Sequence, residues 1–312
     1  MAEYKLTSKQ AHLLWDEGHP PVLTIKSGDI VEFETAEVTD NFFSIDSTTE
    51  TIAELDLSKC YPLVGPVYVE DAEPGDTLLV EILEIQPRGW GWMAVLPGLG
   101  LLPERFPDAY LRTFDLSNGE YVPFREDIKV PFDPFFGTIG VCPAGAKGQG
   151  VMPPGGFGGN MDLRHLRKGC KLCLPVEVKG ALFSCGDGHA VQGDGEVCVS
   201  AMEVPLDAKL KFTLLKGKKL DAPEFITPSP LLPKVDTAGW YGTMGYGPDL
   251  MQASKDAISR MVDYIAENYS MEPVDAYLLC SIAADLKIAE VVDGGVWVVT
   301  AMLPLSIFQK AE

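Results

Sequence analysis

The chain is short of base. Its 312 residues carry 25 Lys and Arg against 45 Asp and Glu, a formal net charge of −20. A nucleic-acid partner is not expected, because phosphate binding needs a basic face. An anionic membrane surface would repel the chain as well. No run of about 18 apolar residues occurs, so no membrane-spanning helix is expected. The start Met1-Ala2-Glu3-Tyr4-Lys5 lacks the basic and apolar blocks of a secretory leader. Cysteine is sparse and odd in number, 7 in all, which argues against a disulfide scaffold and for reduced, buried thiols in a cytoplasmic protein. Histidine is rarer still, at 4. No Gly-x-Ser-x-Gly elbow appears, so serine-based catalysis has little support, and no Gly-rich loop feeds a Lys-Ser or Lys-Thr pair, so nucleotide binding is not expected.

What is present is turn chemistry and alternation. The chain has 31 Gly and 24 Pro, which favours many turns and short strands over helical bundles. Val31, Phe33 and Thr35 alternate with Glu32 and Glu34, the period of a half-buried strand. Glu73-Pro74-Gly75-Asp76 then turns the chain into the apolar run Thr77–Ile85. Six prolines between 97 and 136 predict an irregular stretch. Strands are expected again at Lys171–Val178 and Leu206–Leu214. The period then changes. Pro248 suits the first helical position, and Leu250, Ala253, Ala257, Met261 and Ile265 mark an amphipathic helix ending near Asn268. Pro273 opens a second, nearly continuous apolar helix through Leu286, and Val296–Leu303 reads as a last strand. The fold class is α+β, mostly β. Three parts are expected: a β-sandwich-like part over 1–135, a β region over 136–235 that holds the chemistry, and an α/β element over 236–312.

Polar side chains gather between 153 and 196. Gly155-Gly156-Phe157-Gly158-Gly159-Asn160-Met161-Asp162 lets backbone approach a ligand closely, although the same composition also makes a plain turn. Asp187 and His189, two apart in Gly186-Asp187-Gly188-His189, project to one side of an extended segment. A carboxylate and an imidazole converging there suit a divalent cation such as zinc. Gln192, Asp194 and Glu196 repeat the spacing. Interleaved Asp and Gly also suit calcium, though not as an EF-hand, and a solvated turn whose Asp residues cap their own backbone stays open. Cys185, four residues before His189, makes a thiol nucleophile conceivable. His165 reaches the same site if its stretch is helical. His12 and His19 show no partner in the sequence.

These residues resemble the acetamidase/formamidase family. Matching pieces are Gly159-Asn160-Met161-Asp162, Gly180-Ala181-Leu182-Phe183 and Gly186 through Glu196, with Ala72–Leu78, Ala283–Ile288 and Met302–Phe308. The resemblance implies hydrolysis of a small aliphatic amide to ammonia and a carboxylate. It also implies a jelly-roll-like N-terminal part, a barrel-like middle part and a cytoplasmic homo-oligomer, a dimer or larger, holding a divalent metal, zinc or calcium. On that basis Asp162, Asp187 and His189 are the expected cation ligands, with Glu34 as an addition. Glu196 is the expected proton carrier, with Asp194 in reserve. Asn160 and the N–H groups of Gly158 and Gly159 are expected at the developing oxyanion, and Gln192 on the amide NH₂. Trp90, Trp92 and Phe106 are expected to wall the pocket. The competing readings are a non-catalytic sandwich binding a carbohydrate or other small ligand with structural calcium, and a Cys185 amidase.

Overall fold

A computed structural model describes residues 1–292 and 294–309. Strands dominate it, and the fold is α+β, mostly β. One six-stranded sheet runs in the order Glu3–Thr7, Ile30–Thr35, Leu206–Leu215, Thr77–Pro87, Lys171–Pro175, Glu224–Ile226. A second runs Gly158–Asn160, Phe135–Gly140, Phe183–His189, Leu63–Val69, Ala11–His12, with Leu23–Ile25 also paired to Leu63–Val69. Their inner faces meet through large side chains. Phe183 of the second sheet packs 5.9 Å from Phe33 and 4.9 Å from Phe212 of the first. Alternation produces this directly: in Ile30–Thr35 the residues Val31, Phe33 and Thr35 are buried and Ile30, Glu32 and Glu34 are not.

Both sheets draw strands from either side of residue 135, so the chain passes between them repeatedly and no sheet boundary falls there. The C-terminal part has its own sheet, Trp240–Gly247, Trp297–Pro304 and Asp285–Glu290, packed on helices α1 (Leu250–Tyr269) and α2 (Pro273–Ala283). Helix α1 is capped by Asp249, whose carboxylate accepts from the Gln252 N–H at 2.7 Å. Pro248 therefore lies before the helix rather than at its first position. Helix α2 stops at Ala283, and the chain continues as a strand from Asp285. The expected run to Leu286 is too long because apolarity alone cannot separate a buried helix from the strand that follows it. The Pro-rich stretch 97–136 is not irregular throughout. Tyr110–Asp115 pairs with Trp90–Val95, Tyr121–Arg125 pairs with Ile128–Pro131, and Phe135–Gly140 is an inner strand of the second sheet. Pro97, Pro103 and Pro107 lie in the loop before Tyr110, Pro134 lies between strands, and Pro123 and Pro131 sit on a two-stranded piece, where a missing N–H costs little.

Candidate active site

Strand Phe183–His189 ends in the site. It lies between Phe135–Gly140 and Leu63–Val69, and all seven of its residues are buried. Asp187 and His189 project from it as the spacing predicts. Asp187 Oδ1 lies 3.3 Å from His189 Nε2. Across the sheet, Gly137 faces them. A Cβ there would come within 2.5 Å of Asp187 Oδ2, 2.7 Å of Asp162 Oδ1 and 2.7 Å of the His189 ring, so the absent side chain is what lets the three converge. The Gly137 carbonyl also accepts from the Met161 and Asp162 N–H groups at 3.0 and 3.2 Å, which holds the second loop in place.

Gln192 fixes the imidazole. Its Nε2 donates to the Asp162 carbonyl at 2.8 Å. A carbonyl only accepts, so the amide oxygen must be the end that faces His189, at 2.9 Å from Nδ1. His189 Nδ1 therefore carries a proton, and Nε2 points at the carboxylates. An imidazole bound in this way through its far nitrogen is pre-set to present Nε2 to a cation.

Glu196 and Glu203 complete the cluster. Glu196 Oε1 is 4.0 Å from His189 Nε2 and Glu203 Oε2 is 3.3 Å away. Two donor sets, Asp162–His189–Glu196 and Asp187–His189–Glu203, each fall within 4.8 Å. Glu203 is buried; one oxygen accepts from the Ala201 N–H at 2.8 Å, and Oε2 has no hydrogen bond. The charge is poorly balanced. Burial, then Asp187, pushes Asp162 up to about 7. Burial, then Asp162, holds Glu196 well above the carboxylate range, and burial raises Glu203 too. Burial alone would lower His189, but Glu203 and Asp187 outweigh it and hold it well above its ordinary value. A cluster of this kind must take up protons or a cation. Asp162, Asp187 and Glu196 also have left-handed backbone, with φ of 47°, 57° and 42°, a conformation that costs energy outside glycine and gathers at functional sites.

A small cavity opens on the cluster. Asp162, Asp187, Glu196 and Glu203 line one side, and Val38, Leu55, Leu57, Trp92, Leu96 and Val199 much of the other. Its volume is about 40 Å³; one water needs ~10–15 Å³, so a few waters or one very small molecule fit. No Lys or Arg lines it among the described residues.

Several expected site residues are placed elsewhere. Glu34 does not reach the cluster: it lies on the outer side of the first sheet, 2.5 Å from Lys5 Nζ. Asp194 turns away toward His165 at 3.8 Å, and its N–H donates to Asp285. His165 accordingly joins Asp194, not the cation cluster. Gly158 and Gly159 do not line the cavity, and the Gly158 N–H is used by the Gly155 carbonyl at 3.0 Å. Asn160 accepts from the Thr138 hydroxyl at 2.6 Å behind the cluster. Gln192 is bound at both ends, so it positions His189 instead of holding substrate. Of the expected walls, Trp92 lines the cavity, whereas Phe106 stacks on Tyr277 at 4.7 Å. The other wall comes from residues 38–61. Cys185 is fully buried and burial holds its thiol well above the ordinary value, which removes the thiolate a nucleophile requires. His12 has partners after all: Nδ1 donates to the Leu14 carbonyl and the Ser184 hydroxyl donates to Nε2 at 2.8 Å.

Glu203 and Tyr61 were not anticipated. Glu203 had a signal, a lone charge inside the apolar stretch Val199–Leu206. Tyr61 had none; its φ of 65° and its place at the cavity come from folding alone.

The family model of the acetamidase/formamidase family matches residues 2–147 and 144–310, and the chain belongs to that family. It is an amide hydrolase, an amidase. The acetamidase of Mycolicibacterium smegmatis is 29% identical over 66% of each chain, and the formamidase of Methylophilus methylotrophus is 27% identical over 96% of this chain and 90% of its own. Among solved structures, a gamma lactamase from Delftia acidovorans superposes with a TM-score of 0.90 at 26% identity, covering 96% of this chain and 90% of its own. A predicted acetamidase/formamidase from Thermoanaerobacter tengcongensis gives 0.70 at 31% identity, over 98% and 97%.

Proposed function

We propose that the chain hydrolyses a small aliphatic amide of the formamide or acetamide kind to a carboxylate and ammonia, with a divalent cation at His189. The observation that carries this reading is the company His189 keeps: four buried or half-buried carboxylates around one imidazole nitrogen, with no Lys or Arg lining the cavity among the described residues. Asp162, Asp187, His189 and Glu203 have the mixed oxygen and nitrogen donors that suit zinc, and their carboxylates suit calcium equally, which leaves Glu196 to carry a proton. The unpartnered Glu203 Oε2 and the Nε2 of a Gln192-held imidazole fit such a group. When bound, it would polarise the amide carbonyl and lower the pKa of water.

The chain's own groups supply the rest. Gln192 keeps the imidazole in one tautomer. The apolar wall limits bulk water and substrate size, and a cavity of about 40 Å³ favours the smallest amides. Glu196, whose carboxyl is held above the usual range, is placed to take a proton from water and return it to the departing nitrogen. That return matters because an amide nitrogen leaves only when protonated. No helix among the described residues is long and apolar enough to cross a membrane.

The test is ammonia release from formamide, acetamide and longer amides, with and without a chelator. Turnover should fall as the acyl chain lengthens and should stop on chelation. Full turnover in the presence of chelator would remove the cation from the reaction.

A further inference from the structure

The amide oxygen needs a hydrogen-bond donor as well as a nucleophile. Negative charge builds on it as water attacks, and here it would build beside carboxylates. The side-chain donors lining the cavity can be taken in turn. Thr39 donates to Glu37 Oε1 at 2.7 Å, and the Trp92 indole N–H donates to Glu37 Oε2 at 2.9 Å. The Cys60 thiol is directed at the Asp56 carbonyl at 3.7 Å. Tyr61 remains. Its phenol makes no hydrogen bond among the described residues, and Tyr61 lines the cavity with Asp162, Asp187, Glu196 and Glu203.

The backbone at this position is specialised. Tyr61 has φ of 65°, in the left-handed region, and its N–H is pinned to the Val38 carbonyl at 2.7 Å. A non-glycine residue held there is strained, and such strain gathers at functional sites. Glu37 anchors the same turn by accepting from Thr39, Asn41 and Trp92, so the wall carrying Tyr61 is fixed against Trp92.

We infer that Tyr61 is a catalytic residue whose phenol donates a hydrogen bond to the carbonyl oxygen of the amide. The inference rests on the amide-hydrolysis reading and adds a named donor to it. The water oxygen bonds to the carbonyl carbon, and the π pair moves onto the carbonyl oxygen. The Tyr61 O–H strengthens its hydrogen bond to that oxygen and keeps its proton. Collapse reforms C=O and breaks C–N, and the proton that Glu196 took from water goes to the nitrogen. A tyrosine phenol is protonated at neutral pH, so it is a donor there.

The experiment is Tyr61→Phe on the full chain, with acetamide and thioacetamide as substrates. On acetamide, kcat should fall ~10²–10³-fold, the size seen when one oxyanion donor is removed. KM should stay within about threefold, because the contact is made mainly in the transition state. Metal content and the thermal unfolding midpoint should match the parent. Sulfur accepts hydrogen bonds poorly, so the loss on thioacetamide should be at least about tenfold smaller. A kcat within about twofold of the parent on acetamide overturns the assignment, and so does an equal loss on both substrates, which would mark a purely structural role. A parent protein that releases ammonia from no amide overturns the hydrolysis reading itself, a result visible before any variant is made.

Discussion

Arg164 and Asp285 meet where the C-terminal sheet joins the sandwich, and Asp162, Asp187, Glu196 and Glu203 meet His189 at the end of strand Phe183–His189. Both places bury charge. In the first, a guanidinium that is 6% exposed pairs with a fully buried carboxylate, and Asp285 Oδ1 also accepts the Asp194 N–H at 3.1 Å. Lys287 stands 3.8 Å from the other oxygen. The chain thus supplies its own countercharge, and the result is a latch between two parts of the fold. In the second, His189 is the one basic group among four acids in the described residues, so at most one positive charge from the chain is set against them. The difference separates structure from chemistry: buried charge that is already neutralised holds elements together, whereas buried charge that is not neutralised is kept for something bound.

The comparison can be broken in several ways. The largest effect is expected from His189→Ala, which removes the donor common to both carboxylate sets. Metal content by elemental analysis and amide turnover should vanish together; retention of both would contradict the ligand assignment. Next is Asp285→Ala at the latch. It leaves Arg164 buried and unpaired, so unfolding free energy in denaturant should fall by ~3–5 kcal/mol. Turnover per folded molecule should change far less. Equal losses of stability and specific activity would mean the two clusters are not separable.

A smaller effect is expected in the metal-stripped protein on changing pH. Burial and Asp187 raise Asp162 from an ordinary 3.8 to about 7 in the folded chain. A group raised on folding favours the fold while protonated, so its contribution is full below the ordinary value and is lost as pH rises through about 7. The melting temperature of stripped protein should therefore drop, relative to the loaded protein, between about pH 4 and 8. A constant difference would mean the cluster does not hold the extra protons. Smallest is Glu34→Gln: it breaks an exposed contact with Lys5, for which ~0–1 kcal/mol and unchanged turnover are expected. Loss of metal there would restore Glu34 to the site.

The sequence carried the core of this site but not its rim. Asp187 and His189 were legible because they sit two apart on one strand, although the left-handed backbone of Asp187, with φ of 57°, departs from the regular period. The same rule failed for Asp194 and Glu196. Their segment is a turn, Glu196 adopts φ of 42°, and the pair separates, Glu196 into the cavity and the Asp194 carboxylate toward His165. Glu34 was read from a face whose neighbours were unknown; that face belongs to Lys5. Glu203 meets His189 through an isolated bridge between non-adjacent segments, a long-range pairing that local pattern does not encode. The strands within 97–136 are hidden in the sequence because a proline's effect depends on whether it lies at a sheet edge, which only the fold decides. Helix α1 was legible through its buried stripe Ala253, Ala257, Met261 and Ile265, because amphipathic period and capping are local.

One measurement bears most directly on the central claim, that His189 and its carboxylates share an external cation. Purified protein should be dialysed against chelator, assayed for ammonia release from acetamide, and assayed again as zinc or calcium is titrated back with bound metal counted. Activity is predicted to fall to background and return in step with bound metal. Undiminished turnover in protein that elemental analysis shows to be metal-free would contradict it.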